Sequence, residues 1–404
     1  MEKTALDRYE GIVIEALKNC SANLRKSFKT AFIQVMILYM VIPRKINFTQ
    51  MGRNSDSCEQ RFRQLYEHDF DWMEFNTSLM WRNLGRGLRK AIAIDASFIS
   101  KAGKKTPYIG KFWSGCASAV KRGLEILGIG IVDVDMRNCM MLRAEQTPDS
   151  ETLKNKADGY NLVNWYLDVL RKHRKRLLTI TPYVVADAWF SKANFVYELC
   201  TMGFHLISRL RDDAALWYSH DGIRTGKRGR PRIKGKKIDF DNLDLSRCEC
   251  LDTDDGKVYV IKAYSQAMKR NIKIVVHYPK AVGHKIYFST DIDMTGKDII
   301  EYYRTRFQIE FCFRDAKQST GLNHCQARDL KKLDFAFNAS FASVNIAKVM
   351  RKEEYPNLSI GMLKSCLSNI YILNRFLAKS GLRPNRTLNA KLVKELFELV
   401  ANAA

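Results

Sequence analysis

Tyr303, Arg306, Glu310, Arg314 and Lys317 follow one another at intervals of three, four, four and three residues. At about 100° per residue, a single helix would set all five within about 80° of one another. A carboxylate, three cations and a phenol would then project from one stripe, flanked by Ile300, Phe307 and Phe311. The carboxylate can bind a metal ion while the cations hold phosphate oxygens, which makes a surface for handling phosphodiesters. A solvated charged helix face would give the same spacing. Two further carboxylates weigh against that reading. Asp95 and Asp187 each end an apolar stretch that reads as a strand, where an ionised group is costly unless paired or metal-bound. Taken singly, either aspartate reads as a turn or cap residue.

Together, Asp95, Asp187 and Glu310 form a set that can converge from distant segments at one end of a sheet. Crowded carboxylates repel, and two Mg²⁺ ions resolve that repulsion, with Mn²⁺ able to substitute. Two ions roughly 3.5–4 Å apart activate an attacking oxygen and stabilise the departing one during in-line displacement at phosphorus. Water as the nucleophile nicks a strand, and a 3′-OH joins one strand to another.

The composition fits a nucleic-acid partner. Lys+Arg 67 against Asp+Glu 43 gives a net charge of +24, an excess that calls for a polyanion. Hydrophobic content of 46% and charged content of 27% describe a folded chain. The longest apolar run, residues 32–43, contains Gln34 and is shorter than the roughly 17–25 residues of a membrane span. No secretory pattern opens the sequence, and the cysteines lack paired spacing, so a reduced cytoplasmic compartment without membrane association is expected. Cys248, Cys250, His324 and Cys325 are too isolated for a zinc site.

Periodicity predicts an α/β protein with a mixed sheet, flanked by helical N- and C-terminal regions. Residues 1–85 read as a helical, DNA-binding N-terminal domain. Within it, 48–53 and 57–68 suggest a helix-turn-helix, with Ser57 and Gln60 as a capping box and Gln60, Arg61, Arg63 and Gln64 offered to a groove. An ordinary helical bundle with exposed arginines is the equal alternative. A catalytic core, first part, covers 86–211, with strands at 91–95, 111–119, 126–135, 182–187 and 204–210 and helices at 151–172 and 192–202. A β-rich insertion follows at 212–285, with strands at 258–263 and 272–277. The second part of the core, 286–350, carries a strand at 286–290, the Glu310 helix and a helix at 335–350, and a further helix follows at 360–377. Residues 351–404 are helical again, with a last helix at 388–399.

The insertion opens with a basic loop, 226–237. Arg228-Gly229-Arg230-Pro231 has the form of an AT-hook core, in which arginines enter a narrow A·T minor groove. Lys227, Arg228, Arg230 and Arg232 would equally hold phosphates without sequence preference. Trp189 can stack on an unpaired base or sit in the core.

The spacing of Tyr303, Arg306, Glu310 and Lys317 resembles the YREK signature of DDE transposases from bacterial insertion sequences, insertion-sequence family 4 and its relatives. The residues from Asp95 to Lys101, and on through Gly123 and Glu125, look like the first-aspartate region of these enzymes. Ala186 to Phe190 looks like the second. The resemblance covers about residues 90–330. It implies an RNase H-like catalytic domain with a β-rich insertion before the glutamate. It also implies that Arg306 and Lys317 contact phosphates of the transposon end while Tyr303 packs on that backbone. The expected activity is metal-dependent cleavage of double-stranded DNA at terminal repeats and strand transfer into target DNA, by a homodimer on paired ends. A nuclease of the same fold without strand transfer, and a non-catalytic DNA-binding regulator, are the alternatives.

Overall fold

The computed structural model describes residues 4–381 apart from 22, 88, 221–232, 254–255 and 281–282. The expected helix at 388–399 lies outside the described residues, as do Lys227, Arg228, Arg230 and Arg232.

Five helices come first: α1 (Ala5–Lys18), α2 (Lys26–Val41), α3 (Phe48–Arg53), α4 (Glu59–Leu65) and α5 (Trp72–Leu84). Thr4 and Asp7 form a capping box that starts α1, and Tyr9, Ile12, Val13 and Ala16 give it one buried face. The expected capping box on α4 does not form. Cys58 stands at its N-cap without a side-chain bond, and the Ser57 hydroxyl donates instead to Gln34 at 2.9 Å. The helix is correspondingly shorter than 57–68.

The sheet begins with β1 (Lys90–Ser100), β2 (Gly110–Ser114), β3 (Ala119–Asp133) and β4 (Asn138–Gln146). The sequence reading missed β4. It also ended β1 at Asp95, whereas β1 pairs with β3 along its whole length, from Lys90 opposite Asp133 to Ser100 opposite Gly123. Cross-strand hydrogen bonding carries the strand past the point where its apolar run stops. The helix expected at 151–172 is two, α6 (Ser150–Lys156) and α7 (Leu162–Leu178). Gly159, at φ +69°, breaks the first, and Asn161 with Asn164 caps the second.

Next come β5 (Tyr183–Val185), α8 (Ala193–Thr201) and β6 (His205–Leu210), then β7 (Leu216–Ser219), β8 (Lys234–Lys237), β9 (Glu249–Thr253), β10 (Gly256–Ser265), β11 (Arg270–Pro279) and β12 (Lys285–Ser289). Lys234, Lys236 and Lys237, read as loop residues, lie in β8. Helices α9 (Gly296–Thr305), α10 (Gln308–Gln318), α11 (Leu330–Glu353) and α12 (Ile360–Lys379) complete the described chain.

All twelve strands join one sheet, in the order β2-β3-β1-β5-β6-β12-β11-β10-β7-β8, with β4 beside β3 and β9 beside β10. The sheet is mixed but mostly antiparallel. β5 and β6 run parallel to β1, while β12 to β7 continue the same sheet outward as an antiparallel set. Helix α11 is buried along most of its length. Its Phe335 ring packs against Tyr66 in a tilted contact and Trp72 edge-on, at 4.4 and 5.0 Å. Asn345 bonds the Met141 carbonyl in β4 at 2.7 Å and Asn76 in α5 at 2.9 Å. These contacts join the N-terminal helices to the same core as the sheet. Among the described residues, no helix is long and apolar enough to cross a membrane.

Candidate active site

Asp95 lies mid-way along β1, directly opposite Gly128 of β3. Helix α10 packs over this point, and small residues let it come close. A Cβ on Gly128 would stand 2.7 Å from the Phe313 ring, and one on Gly130 would stand 2.8 Å from the Cys139 sulfur. Gly128 thus sets the height of the helix that carries Glu310 above the sheet, while Gly130 makes room for Cys139 of β4.

Asp187 lies two residues past β5, as the cap of a 3₁₀ turn over Ala188–Phe190, where its carboxylate accepts from the Trp189 N–H at 3.0 Å. The Ser208 hydroxyl of β6 donates to its carbonyl at 2.8 Å and fixes the turn against the sheet. Because β5 runs parallel to β1, the chain leaves it toward the Asp95 side.

The third segment is not the single helix that the spacing suggested. α9 ends at Thr305 and α10 starts at Gln308, with both connecting residues still near helical dihedrals. Arg306 N–H donates to Tyr303 and Glu310 N–H to Phe307, both at 3.0 Å, so the step is wound in the tighter i to i−3 pattern. The Thr305 hydroxyl bonds the Tyr302 carbonyl at 2.7 Å, a local bond that competes with the regular ladder.

Arg306 ties these segments together. Its guanidinium donates to Glu310 at 2.7 Å and stands 4.0 Å from Asp95. Arg306 and Asp95 are 18% and 20% exposed, while Glu310 is 52% exposed and free to turn. Burial pushes the Asp95 carboxyl up to about 7; Arg306 opposes this, and Asp187 and Glu310 add to it. Asp187 is also raised by burial, against the pull of Arg306 and the N–H groups of its turn. Burial works against the charge on Arg306, but Glu310 and Asp95 more than offset it.

Lys317, one helical stretch beyond Glu310, donates to Ser97 at 2.9 Å, two residues along β1 from Asp95. Burial lowers its pKa, and Cys116 and Asp95 partly restore it. The Tyr303 ring packs on Tyr287 at 5.0 Å. Arg314 lies over the Phe311 ring at 4.5 Å, exposed. Gln60, Arg61 and Gln64 are exposed on α4, a separate element, while Arg63 rests on Phe48 at 4.9 Å. All ten cysteines are free, and His324 accepts from the Ile46 N–H at 3.2 Å.

Three site neighbours escaped the sequence reading. Ser97 follows Asp95 at the strand period of two, a signal that was present. Tyr166 donates to Glu125 at 2.7 Å and sets its ring against Trp189 at 5.5 Å. Glu125, a carboxylate inside an apolar strand, was the available hint. Lys192 lies 3.6 Å above the half-exposed Trp189 ring. The two are three residues apart, so their spacing in the chain was the available signal.

Among the described residues, no three His, Cys, Asp or Glu side chains stand close enough to hold one metal ion. Glu310 is bonded to Arg306 instead. The donor chemistry nonetheless suits a hard divalent cation: two largely buried aspartates, both raised in pKa, lack the positive charge that such an ion would bring.

Compared with known protein families, residues 86–346 match the transposase DDE domain. The chain belongs to the DDE transposase family. No curated protein matches the chain. This transposase is therefore an enzyme that acts on DNA, in a family that generally uses divalent metals. Its matched region holds Asp95, Asp187, Glu310 and every cation on the α9–α10 stripe.

Proposed function

We propose that this transposase cuts DNA at the ends of an insertion sequence and joins the 3′-OH ends to target DNA. In this reading Asp95, Asp187 and Glu310 are the catalytic carboxylates, Arg306, Arg314 and Lys317 hold backbone phosphates, and Tyr303 packs against the strand. The carrying observation is the Arg306 bridge, which draws Glu310 to the pocket of Asp95. The strand order β4-β3-β1-β5-β6, antiparallel on one side of β1 and parallel on the other, supports an RNase H-like core. The matched spacing of Tyr303, Arg306, Glu310 and Lys317 supports the YREK type of insertion-sequence transposase.

Two Mg²⁺ ions, or Mn²⁺, would be held by Asp95 and Asp187, and by Glu310 once it leaves Arg306. When bound, they supply Lewis-acid activation of the attacking oxygen and stabilisation of the leaving one. Arg306, released from Glu310, stays beside the pocket as a phosphate clamp, since guanidinium suits phosphate geometry. Lys317, anchored on Ser97, places a point charge on the same strand.

The segments fall into a DNA-binding N-terminal region, 1–85, a core split into 86–211 and 286–350, an insertion at 212–285 and a C-terminal region, 351–404. Joining two ends calls for a homodimer on paired terminal repeats. The chain would work on chromosomal DNA in a bacterial cytoplasm. The test supplies a pre-cut 3′-OH end, supercoiled plasmid and Mg²⁺. A joined product is expected; nicking without joining would leave a nuclease, and no reaction at all a DNA-binding regulator.

A further inference from the structure

The loop between β1 and β2 faces the loop between α10 and α11 across a cavity of about 530 Å³. Lys101, Lys104, Lys105 and Arg328 line it, together with Asn323 and Gln326. No carboxylate lines it. Lys104, Lys105 and Arg328 are exposed, and the Lys101 ammonium donates to the Cys325 carbonyl, which pins one loop to the other. Cations gathered in a cleft without counter-charges repel one another, so the cleft favours an anion. Gln326 and Arg328 also line a second cavity, about 650 Å³, whose far wall is formed by α3 and α4. The two cavities therefore form a path from the N-terminal helices to the end of the strand that carries Asp95.

We propose that Lys104, Lys105 and Arg328 form a second phosphate clamp that grips duplex DNA away from the cleavage site. This rests on the reading of the Asp95 pocket as the place of cutting. Lys101 lies six residues beyond Asp95 along an extended strand and loop, a reach of ~20 Å at ~3.3 Å per residue. Duplex DNA advances ~3.4 Å per base pair, so the clamp meets the backbone about six base pairs from the reacting phosphate. The long reach favours a polymer, which can fill both sites at once. The clamp sets the direction in which the duplex leaves the active site, toward α3 and α4.

The test compares the full chain with the K104A/K105A and R328A variants on a 30-base-pair duplex of arbitrary sequence. Affinity is measured from 50 to 200 mM NaCl, and Asp95→Asn serves as a cleavage-dead control. Wild type and Asp95→Asn are expected to share one steep salt slope. K104A/K105A should flatten it by about 1.8 and R328A by about 0.9, since each lost phosphate contact removes roughly 0.9. Variant slopes equal to wild type would overturn the clamp while leaving the active site untouched. No duplex binding by wild type would sink the reading of the Asp95 pocket as well. A third arm replaces chloride with inorganic phosphate at equal ionic strength. Phosphate is expected to displace DNA more readily from wild type than from K104A/K105A, and equal displacement from both would overturn the clamp.

Discussion

Arg306 holds Glu310 at 2.7 Å and stands 4.0 Å from Asp95, so one guanidinium is shared between two carboxylates that belong to segments far apart in sequence. The pair is an i, i+4 contact across the α9–α10 step whose Glu310 end is half-exposed, worth on the order of 1 kcal/mol or less. A divalent ion can outbid Arg306 for Glu310 at little cost.

The first prediction tests Glu310 as a ligand and not as a structural partner. Glu310→Gln keeps the size and hydrogen bonding of the side chain while removing its charge. It should reduce Mg²⁺-dependent plasmid nicking by roughly 100-fold or more. Duplex binding in a gel-shift assay should change little. Equal loss of binding and cleavage would show that Glu310 acts by holding Arg306 in place.

The raised Asp95 pKa has a sign that can be measured. The folded protein keeps this proton up to about pH 7, whereas the unfolded chain releases it near about pH 4. Between these limits the folded state binds more protons, so this group's contribution to stability falls as pH rises. In EDTA, wild type should lose on the order of 2–4 kcal/mol relative to Asp95→Asn between pH 4.5 and 8. Thermal melts of both proteins across that range decide it, and parallel curves would remove the effect. Adding Mg²⁺ should stabilise wild type more at pH 8 than at pH 5, because the ion takes the ionised form.

Lys317 donates to Ser97, and its charge is felt by Cys116 and Asp95. Lys317→Ala should weaken duplex binding and lower the salt slope by about 0.9. Ser97→Ala should keep the slope, since the charge remains, while reducing kcat through a looser ammonium. Titrations at several NaCl concentrations and single-turnover rates separate the two effects.

Gly128 is predicted to be intolerant of any side chain. A methyl group there meets the Phe313 ring at 2.7 Å and the Met141 methyl at 3.1 Å. Gly128→Ala should cost about 1–3 kcal/mol by overpacking, read as a lower Tm. It should also cut cleavage by more than its effect on folding explains, because α10 must lift away from β1. Phe313→Leu in the same chain should recover part of both losses.

The sequence by itself determined the residue types and their local order. Asp95 and Asp187 stood out because charge is costly at the end of an apolar strand. Across the break at Arg306 and Phe307, Arg306 and Lys317 both reach β1, whereas Arg314 stays exposed over Phe311. Helices α8 and α11 and strands β6 and β12 were legible from periodicity alone. β4 was not, because Met140, Met141 and Leu142 give no clean alternation for a strand buried on both faces. The length of β1 was hidden too, because it depends on pairing with β3 and not on its own apolar run. Only the tertiary structure decided that Lys317 reaches Ser97, that Arg306 stands beside Asp95, and that Gly128 admits Phe313 of α10. Such contacts join residues from separate segments, and the distance between two side chains is fixed by packing, which no local spacing encodes.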